Sequence, residues 1–200
     1  MYMDIDLTIS ENTIKDDFAR IANELLNKWI LKVGGSQYRI AEIEFYYKDD
    51  NQEHDDSYIH GHAQQRQKGK WYFHGAGIDI TFGNGKAFGG ILIRAMVNID
   101  TNEYFYGPLV CIQELFRNFS TIFNTEINFG LVPSKNNQVI EEKIIRAPRV
   151  GLNPTKNPEM WNELYRFLII PKLKHADKTK IFDAMKLQGF SEEECKNIWG

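Results

Sequence analysis

One strand-like segment, residues 39–50 (RIAEIEFYYKDD), presents an acid and an aromatic ring side by side. Because alternate side chains of a β-strand point to opposite faces, Glu44 and Tyr46 share one face with Glu42. The opposite face is apolar: Ala41, Ile43 and Phe45. A carboxylate that lies against apolar rings, partly out of water, acquires the raised pKa of a general base. The acidic face therefore predicts either a solvated surface or the floor of a site, and the histidine-bearing loop that follows supports the site floor.

Arg94 is the second residue that could do chemistry. It lies in the apolar run 89–96 (GGILIRAM), and an arginine is rarely buried without a partner. One interpretation is a structural ion pair with Asp79 or with a glutamate. The other is a fixed guanidinium that orients a water molecule or an anion. The sequence leaves both interpretations open.

The polar segment 48–70 combines histidines with acids, as some metal sites do. Its candidate ligands are His54, Asp55, Asp56, His60 and His62. An H-x-H pattern with nearby carboxylates can bind a metal ion. The spacing is only weakly specific, and we expect no metal, but a metal-dependent hydrolase remains an alternative.

A basic and aromatic cluster closes the same segment. Arg66, Lys68 and Lys70 lead directly into the aromatic triplet 71–73 (WYF). In nucleic-acid sites cations meet phosphates and rings stack on bases. A solvated loop that runs into a buried strand would produce the same pattern, so the cluster indicates a nucleic-acid contact without establishing one.

Composition restricts the class of protein. The chain has 200 residues, 42% hydrophobic and 26% charged, which is typical of one globular domain. A net charge of −3 and a pI near 6.0 argue against a broad nucleic-acid-binding surface but not against a local basic cleft. The sequence contains no P-loop, G-x-G-x-x-G or G-x-S-x-G motif, so we expect no cofactor.

Cysteine content and hydropathy predict a location. The chain has two cysteines, Cys111 and Cys195, which form no disulfide framework and fit a reducing compartment. Residues 1–13 show no signal-peptide pattern, and no run of 18 apolar residues occurs. We therefore expect a soluble cytoplasmic protein, a monomer, with no membrane contact.

Periodicity and turn signals predict the elements that position these residues. They are a helix over about 13–32, a strand over 38–47, a loop over 48–70, three strands over 70–96 with turns at Gly75–Gly77 and Gly83–Gly85, a helix that begins at Pro108, a strand within 161–170, and two short helices over 176–199 joined at Gly189. This order predicts an α+β fold. We expect a single domain over residues 1–170 and a C-terminal helical hairpin, within 171–200, packed on it.

Several short motifs along the chain form a familiar series. They are E-x-E-x-Y at Glu42–Tyr46, D-x-x-x-H at Asp56–His60, the aromatic hairpin WYFHGAGIDITF at 71–82, L-x-R-A at Leu92–Ala95, Gly107–Pro108, R-V-G at Arg149–Gly151, and Arg166–Phe167. In order and spacing they resemble the methylpurine (3-methyladenine) DNA glycosylase superfamily over about residues 15–170. The resemblance implies a curved antiparallel sheet with flanking helices.

The resemblance also implies roles for the candidate residues. Glu44 would be the general base that activates water for attack at the deoxyribose C1′. Arg94 and the backbone carbonyl of Val150 would hold that water. Tyr46 and His60 would position a flipped base. The enzyme would favour weakly paired, damaged bases because these are the least costly to unstack.

Further positions implied by the resemblance would complete the DNA contact. Trp71 would form a third wall of the base pocket. His74 falls on the tip of the intercalating hairpin, where the family has a tyrosine, and Arg66, Lys68 and Lys70 would contact the DNA backbone. The expected partner is DNA, either a damaged duplex or a single strand. A non-catalytic nucleotide-binding or nucleic-acid-binding module of the same fold is the alternative.

Overall fold

The computed structural model describes residues 4–51, 53–117, 128–135, 138–171 and 177–197. Over these ranges the chain forms a curled, nine-stranded antiparallel sheet with a few helices, which confirms the predicted α+β class. The strands are β1 Trp29–Val33, β2 Ser36–Asp49, β3 Lys68–His74, β4 Gly77–Phe82, β5 Ala87–Asn98, β6 Tyr104–Tyr106, β7 Phe129–Pro133, β8 Ile145–Ala147 and β9 Arg166–Leu168. Their order is β3-β4-β5-β2-β1-β7, with β6 beside β5, β9 beside β2 and β8 beside β9.

The helices lie at the start, the middle and the end of the described chain. They are α1 Ile14–Asn23, α2 Pro108–Arg117, α3 Pro158–Trp161, α4 Lys178–Leu187 and α5 Glu192–Asn197. The helix predicted to begin at Pro108 is thus confirmed; proline suits this first position because it has no N–H to leave unpaired. Within the described ranges, no helix combines the length and the apolar character that crossing a bilayer requires.

Strand β2 is the centre of the fold because it pairs with strands on both sides and is the longest of the described strands. Its apolar face is buried as the alternation predicted: Ala41, Ile43 and Phe45. Phe18 of α1 covers that face, with its ring centroid 4.4 Å from that of Phe45 in a stacked arrangement. Burial of one such ring stabilises the fold by about 1.5–3 kcal/mol. The acidic face of β2 is left for the opposite side of the sheet.

The first predicted helix is too long at its C-terminal end. Helix α1 ends at Asn23, a π-helical turn follows over Glu24–Lys28, and Trp29–Val33 is strand β1. Trp29 matched the helical spacing, but the run WILKV pairs with β2 on one side and β7 on the other. Pairing and burial on both sides outweigh a local helical pattern. Gly34 joins β1 to β2 with a φ of 58°, a conformation that favours glycine.

The three-stranded region is confirmed, whereas the long loop is shorter than predicted. Strands β3, β4 and β5 form consecutive antiparallel pairs. Residues 48–49 still belong to β2, residues 63–66 form a 3₁₀ helix, and β3 begins at Lys68. The histidine segment is therefore held at both ends by the sheet.

The C-terminal helical hairpin is confirmed over residues 178–197, and residues 176, 198 and 199 of the predicted range lie outside the described residues. Gly189 adopts a φ of 74° between α4 and α5. The Ser191 N–H donates to Glu194 Oε2 (2.6 Å), and the Glu194 N–H donates to Ser191 Oγ (3.1 Å). This reciprocal pair is a capping box. The hairpin buries a small apolar cluster against β8 and β9: Ile145, Ala147, Leu168, Ile181, Ala184, Met185 and Cys195.

Candidate active site

One row of side chains crosses five strands on the acidic face of the sheet. The pairing register places Tyr72 opposite Asp79, Asp79 opposite Leu92 and Leu92 opposite Glu44. Glu44 in turn lies opposite Arg166. Directly paired residues of neighbouring strands project to the same face. The register therefore brings ionisable residues that are far apart in the sequence into one line.

Glu44 and Arg94 are in direct contact. Arg94 Nη1 donates to Glu44 Oε2 at 3.3 Å, and the Tyr46 hydroxyl donates to the same oxygen at 2.8 Å. The other oxygen, Oε1, accepts the Val150 N–H at 2.7 Å. The Glu44 side chain is completely buried. Val150 thus meets Glu44 through its N–H, whereas the sequence expectation concerned its carbonyl.

Arg94 also forms the ion pair that the sequence left open, with glutamates rather than with Asp79. Its Nε donates to Glu42 Oε1 at 3.0 Å, and Arg166 Nε donates to that same oxygen at 2.7 Å. Burial disfavours the charged guanidinium, but the carboxylates of Glu44 and Glu42 outweigh burial and raise the pKa of Arg94. Arg94 therefore remains a cation at the base of the site.

Tyr46 separates Glu44 from the open side of the site. Burial, together with the neighbouring Glu44, raises the pKa of the Tyr46 hydroxyl well above its ordinary value. The hydroxyl consequently stays protonated and donates to Glu44. One face of the ring lies under the Arg149 guanidinium, with 4.5 Å between the guanidinium carbon and the ring centroid. This is a cation–π geometry.

Arg149 is a residue of this site that sequence reasoning missed, although its R-V-G motif was noted. Its side chain is fully buried and forms a two-pronged ion pair with Asp56. It also donates to the carbonyls of Phe45 (3.0 Å) and Met160 (3.2 Å). Because Asp56 lies four residues before His60, this pair fixes the segment that carries His60 against β2.

A cleft of about 230 Å³ opens above Tyr46. Its lining includes Tyr46, Tyr58, Ile59, His60, Gln65, His74, Asp79, Leu92, Gly151, Leu152 and Lys156. The ring centroids of His60 and His74 are 4.7 Å apart, and Tyr72 stacks on His74 at 5.1 Å. Burial, and next the proximity of His74, lower the pKa of His60. The cleft is below the range of about 300–1,000 Å³ of drug-sized sites, so it suits a small ligand.

Two of the predicted contact residues lie elsewhere than expected. Trp71 is on the opposite side of β3 from the cleft, where its ring meets Phe129 at 4.7 Å and lines a separate cavity of about 450 Å³. His74 does not project from the hairpin tip. Its side chain is nearly buried inside the cleft, where Nε2 lies 3.0 Å from Asp79 Oδ1. His74 therefore lines the cleft, whereas Trp71 does not.

The predicted basic contacts lie away from the cleft. Arg66 forms a two-pronged ion pair with Asp50 (2.7 and 2.8 Å) and stacks over Phe88. Lys68 donates to Thr8 Oγ1 at 2.9 Å. Lys68 and Lys70 border the separate cavity that contains Trp71. The structure does not bring these cations to the rim of the cleft.

The loop histidines do not converge. His54 is buried, with Nδ1 at 2.8 Å from the Tyr47 carbonyl and Nε2 at 2.8 Å from the Tyr165 hydroxyl. His62 stacks on Tyr72 and caps the 3₁₀ helix by accepting the Gln64 N–H. His60 alone of these histidines lines the cleft. In the ranges that the structure describes, no group of His, Cys, Asp and Glu side chains is arranged to hold a metal ion.

Comparison with known proteins identifies a viral relative. Uncharacterized protein L759 of Acanthamoeba polyphaga mimivirus is 30% identical over 205 aligned residues, which cover 84% of this chain and 92% of the viral protein. The chain belongs to the same protein family as L759. No model of a known protein family matches the chain. The name of L759 states no activity.

Proposed function

We propose that this chain is a DNA N-glycosylase-like enzyme that hydrolyses the N-glycosidic bond of a flipped, damaged purine. The observation that carries the proposal is the convergence of Glu44, Arg94 and Val150 directly behind Tyr46, which lines a base-sized cleft. The order of motifs that resembles the methylpurine glycosylases supports it. Base flipping needs such a pocket, because a purine inside a duplex exposes neither its glycosidic bond nor its faces.

The proposed reaction assigns a role to each wall of the cleft. The base stacks against Tyr46, with His60 and His74 beside it. Water replaces the Tyr46 hydroxyl as the donor to Glu44 Oε2, and Glu44 takes a proton as the water oxygen bonds to C1′. The C1′–N bond breaks, and its electron pair leaves with the base. Arg94 holds Glu44 in place and needs no rearrangement during the reaction, which is the advantage of a preorganised site.

The test is base release from oligonucleotides that carry a methylated purine, which keeps its exocyclic amino group, or hypoxanthine or ethenoadenine, which lack one. A general base contributes about 10²–10⁴-fold to a rate, so Glu44→Gln should lower release at least about 100-fold. Glu103→Gln, at an exposed position outside the cleft, is the matched control and should leave release unchanged.

A second variant guards against a folding defect in Glu44→Gln. Tyr46→Phe keeps Glu44 and the stacking ring but removes the hydroxyl that occupies Oε2. It should retain release within about tenfold, and circular dichroism should show both variants folded. Equal release by wild type and a folded Glu44→Gln variant would refute Glu44 as the base.

One observation favours a second candidate, a non-catalytic nucleotide-binding or nucleic-acid-binding module. Both Glu44 oxygens already accept hydrogen bonds, and the side chain is completely buried, as in a structural ion network. A binding module would release no base, and Glu44→Gln would bind oligonucleotides as wild type does. The metal-dependent hydrolase gains no support from the described residues, since the loop histidines lie in separate environments.

A further inference from the structure

Asp79 is a buried carboxylate of the cleft that the proposed reaction does not use. It is 3% exposed and lines the cleft beside His74. Its Oδ1 lies 3.0 Å from His74 Nε2, and its Oδ2 accepts from Gln65 Nε2 at 3.1 Å. Glu42, Glu44 and Asp56 on the same side of the sheet each accept from an arginine, so Asp79 differs from them in the kind of partner it has.

The partners of Asp79 fix how it is presented to the cleft. His74 Nδ1 accepts the Ala76 N–H at 3.3 Å, so the proton of the neutral ring is on Nε2 and is donated to Asp79. Gly90 makes room for the arrangement, because a Cβ there would lie 2.6 Å from Asp79 Oδ2 and 2.9 Å from Gln65 Nε2. Asp79 is therefore held by a histidine and an amide at a point where β5 carries no side chain.

The remaining acceptor capacity of Asp79 points to a ligand. A carboxylate offers about four acceptor directions, and the His74 and Gln65 contacts occupy one on each oxygen. A donor on the ligand would satisfy a further direction, whereas an acceptor placed there would be repelled by the carboxylate oxygens of Asp79. Sites built to pair with an N–H reject analogues that lack it, because their own buried polar group is left unpaired.

We propose that Asp79 determines the specificity of the cleft, which takes a nucleobase whose inner edge carries N–H donors, above all an exocyclic amino group. The proposal rests on the proposed function only in so far as the cleft holds a base. It requires no hydrolysis, so it can be tested by binding alone.

The test compares pairs of nucleosides that differ by one amino group, namely guanosine with inosine and adenosine with purine riboside. Affinities are measured by isothermal titration calorimetry with the whole chain. In at least one pair the amino-bearing nucleoside should bind at least about tenfold more tightly. Asp79→Asn, which preserves shape but replaces one acceptor by a donor, should reduce that ratio below about twofold. Asp100→Asn, at an exposed turn outside the cleft, should preserve it.

Several results would overturn the assignment. Equal affinities of the wild type for the two nucleosides of each pair would overturn it, and so would the absence of any binding at millimolar nucleoside. Neither result depends on a variant. Discrimination that survives in a folded Asp79→Asn variant would show that another residue reads the amino group. The proposed function fails separately: a wild type that discriminates between the nucleosides but releases no base would refute hydrolysis and leave the specificity of Asp79 intact.

Discussion

Arg149 provides the sharpest test of how the cleft is held together. Replacement by Met keeps an unbranched side chain of comparable length but removes the charge and every donor. The buried carboxylate of Asp56 then loses its two-pronged partner, and the carbonyls of Phe45 and Met160 lose theirs. Because neither Arg149 nor Asp56 reaches solvent, water cannot replace these bonds without opening the structure.

The burial of both groups sets the size of the expected loss in stability. Removal of one partner of a buried ion pair costs about 3–5 kcal/mol, since the other charge is left uncompensated. A domain of ordinary stability unfolds with about 5–15 kcal/mol, so Arg149→Met should fold but be markedly weakened. With a urea m-value of about 2 kcal/mol/M, the unfolding midpoint should fall by about 1.5–2.5 M.

Arg146→Met is the matched control, because Arg146 lies three residues before Arg149 and is exposed. Its guanidinium is 5.7 Å from the Phe167 ring, so its removal should cost below about 1 kcal/mol. Combining Arg149→Met with Asp56→Asn should cost less than the sum of the two single changes, because the isolated charge is gone. A loss under about 1 kcal/mol for Arg149→Met would show that this pair does not hold the His60 segment in place.

Two further predictions concern parts of the chain outside the cleft. Burial raises the pKa of the Cys111 thiol to about 12, and Cys195 is also buried. Ellman's reagent at pH 8 should therefore label neither cysteine in the native protein and both in denaturant. Rapid labelling of the native chain would contradict this packing. The Gln188 side chain accepts the Arg146 N–H (3.0 Å) and donates to the Arg146 carbonyl (2.8 Å), as a neighbouring strand would. Gln188→Ala should therefore lower the free energy of unfolding by about 1–3 kcal/mol and speed hydrogen exchange at the Arg146 amide. Unchanged exchange at that amide would contradict this prediction.

Much of the sheet could be predicted from sequence because its strands alternate. The period of two in β2 separates Ile43 and Phe45 from Glu44 and Tyr46, and the glycine turns separate β3, β4 and β5. Strand β1 could not be predicted in the same way. Its residues satisfy a helical spacing locally, and only the pairing with β2 and β7, the latter about a hundred residues later, makes it a strand.

The walls of the cleft were harder to predict than its floor. Glu44 and Arg94 lie on adjacent strands within recognisable motifs. Within β3 the residues Trp71–His74 pair in regular register with β4. Because alternate residues of a strand point to opposite faces, His74 and Trp71 lie on opposite sides of β3, and only the packing of the folded sheet decides that His74 faces the cleft. Arg149 and Asp56 are 93 positions apart in the sequence, and no local pattern predicts such an ion pair.

The buried charges are best explained by the cleft rather than by stability. Apolar side chains of similar volume often stabilise a protein as well as a buried ion pair does, or better. Here Arg94 and Arg149 lie behind Tyr46 and hold, respectively, the Glu44 carboxylate and the Asp56 segment that leads to His60. Each ion pair therefore fixes a group that faces, or lies directly behind, one small cavity. Only Asp79 faces that cavity with a histidine and an amide as its donors, and for this reason we expect the ligand, rather than another side chain of the described chain, to complete its hydrogen bonding.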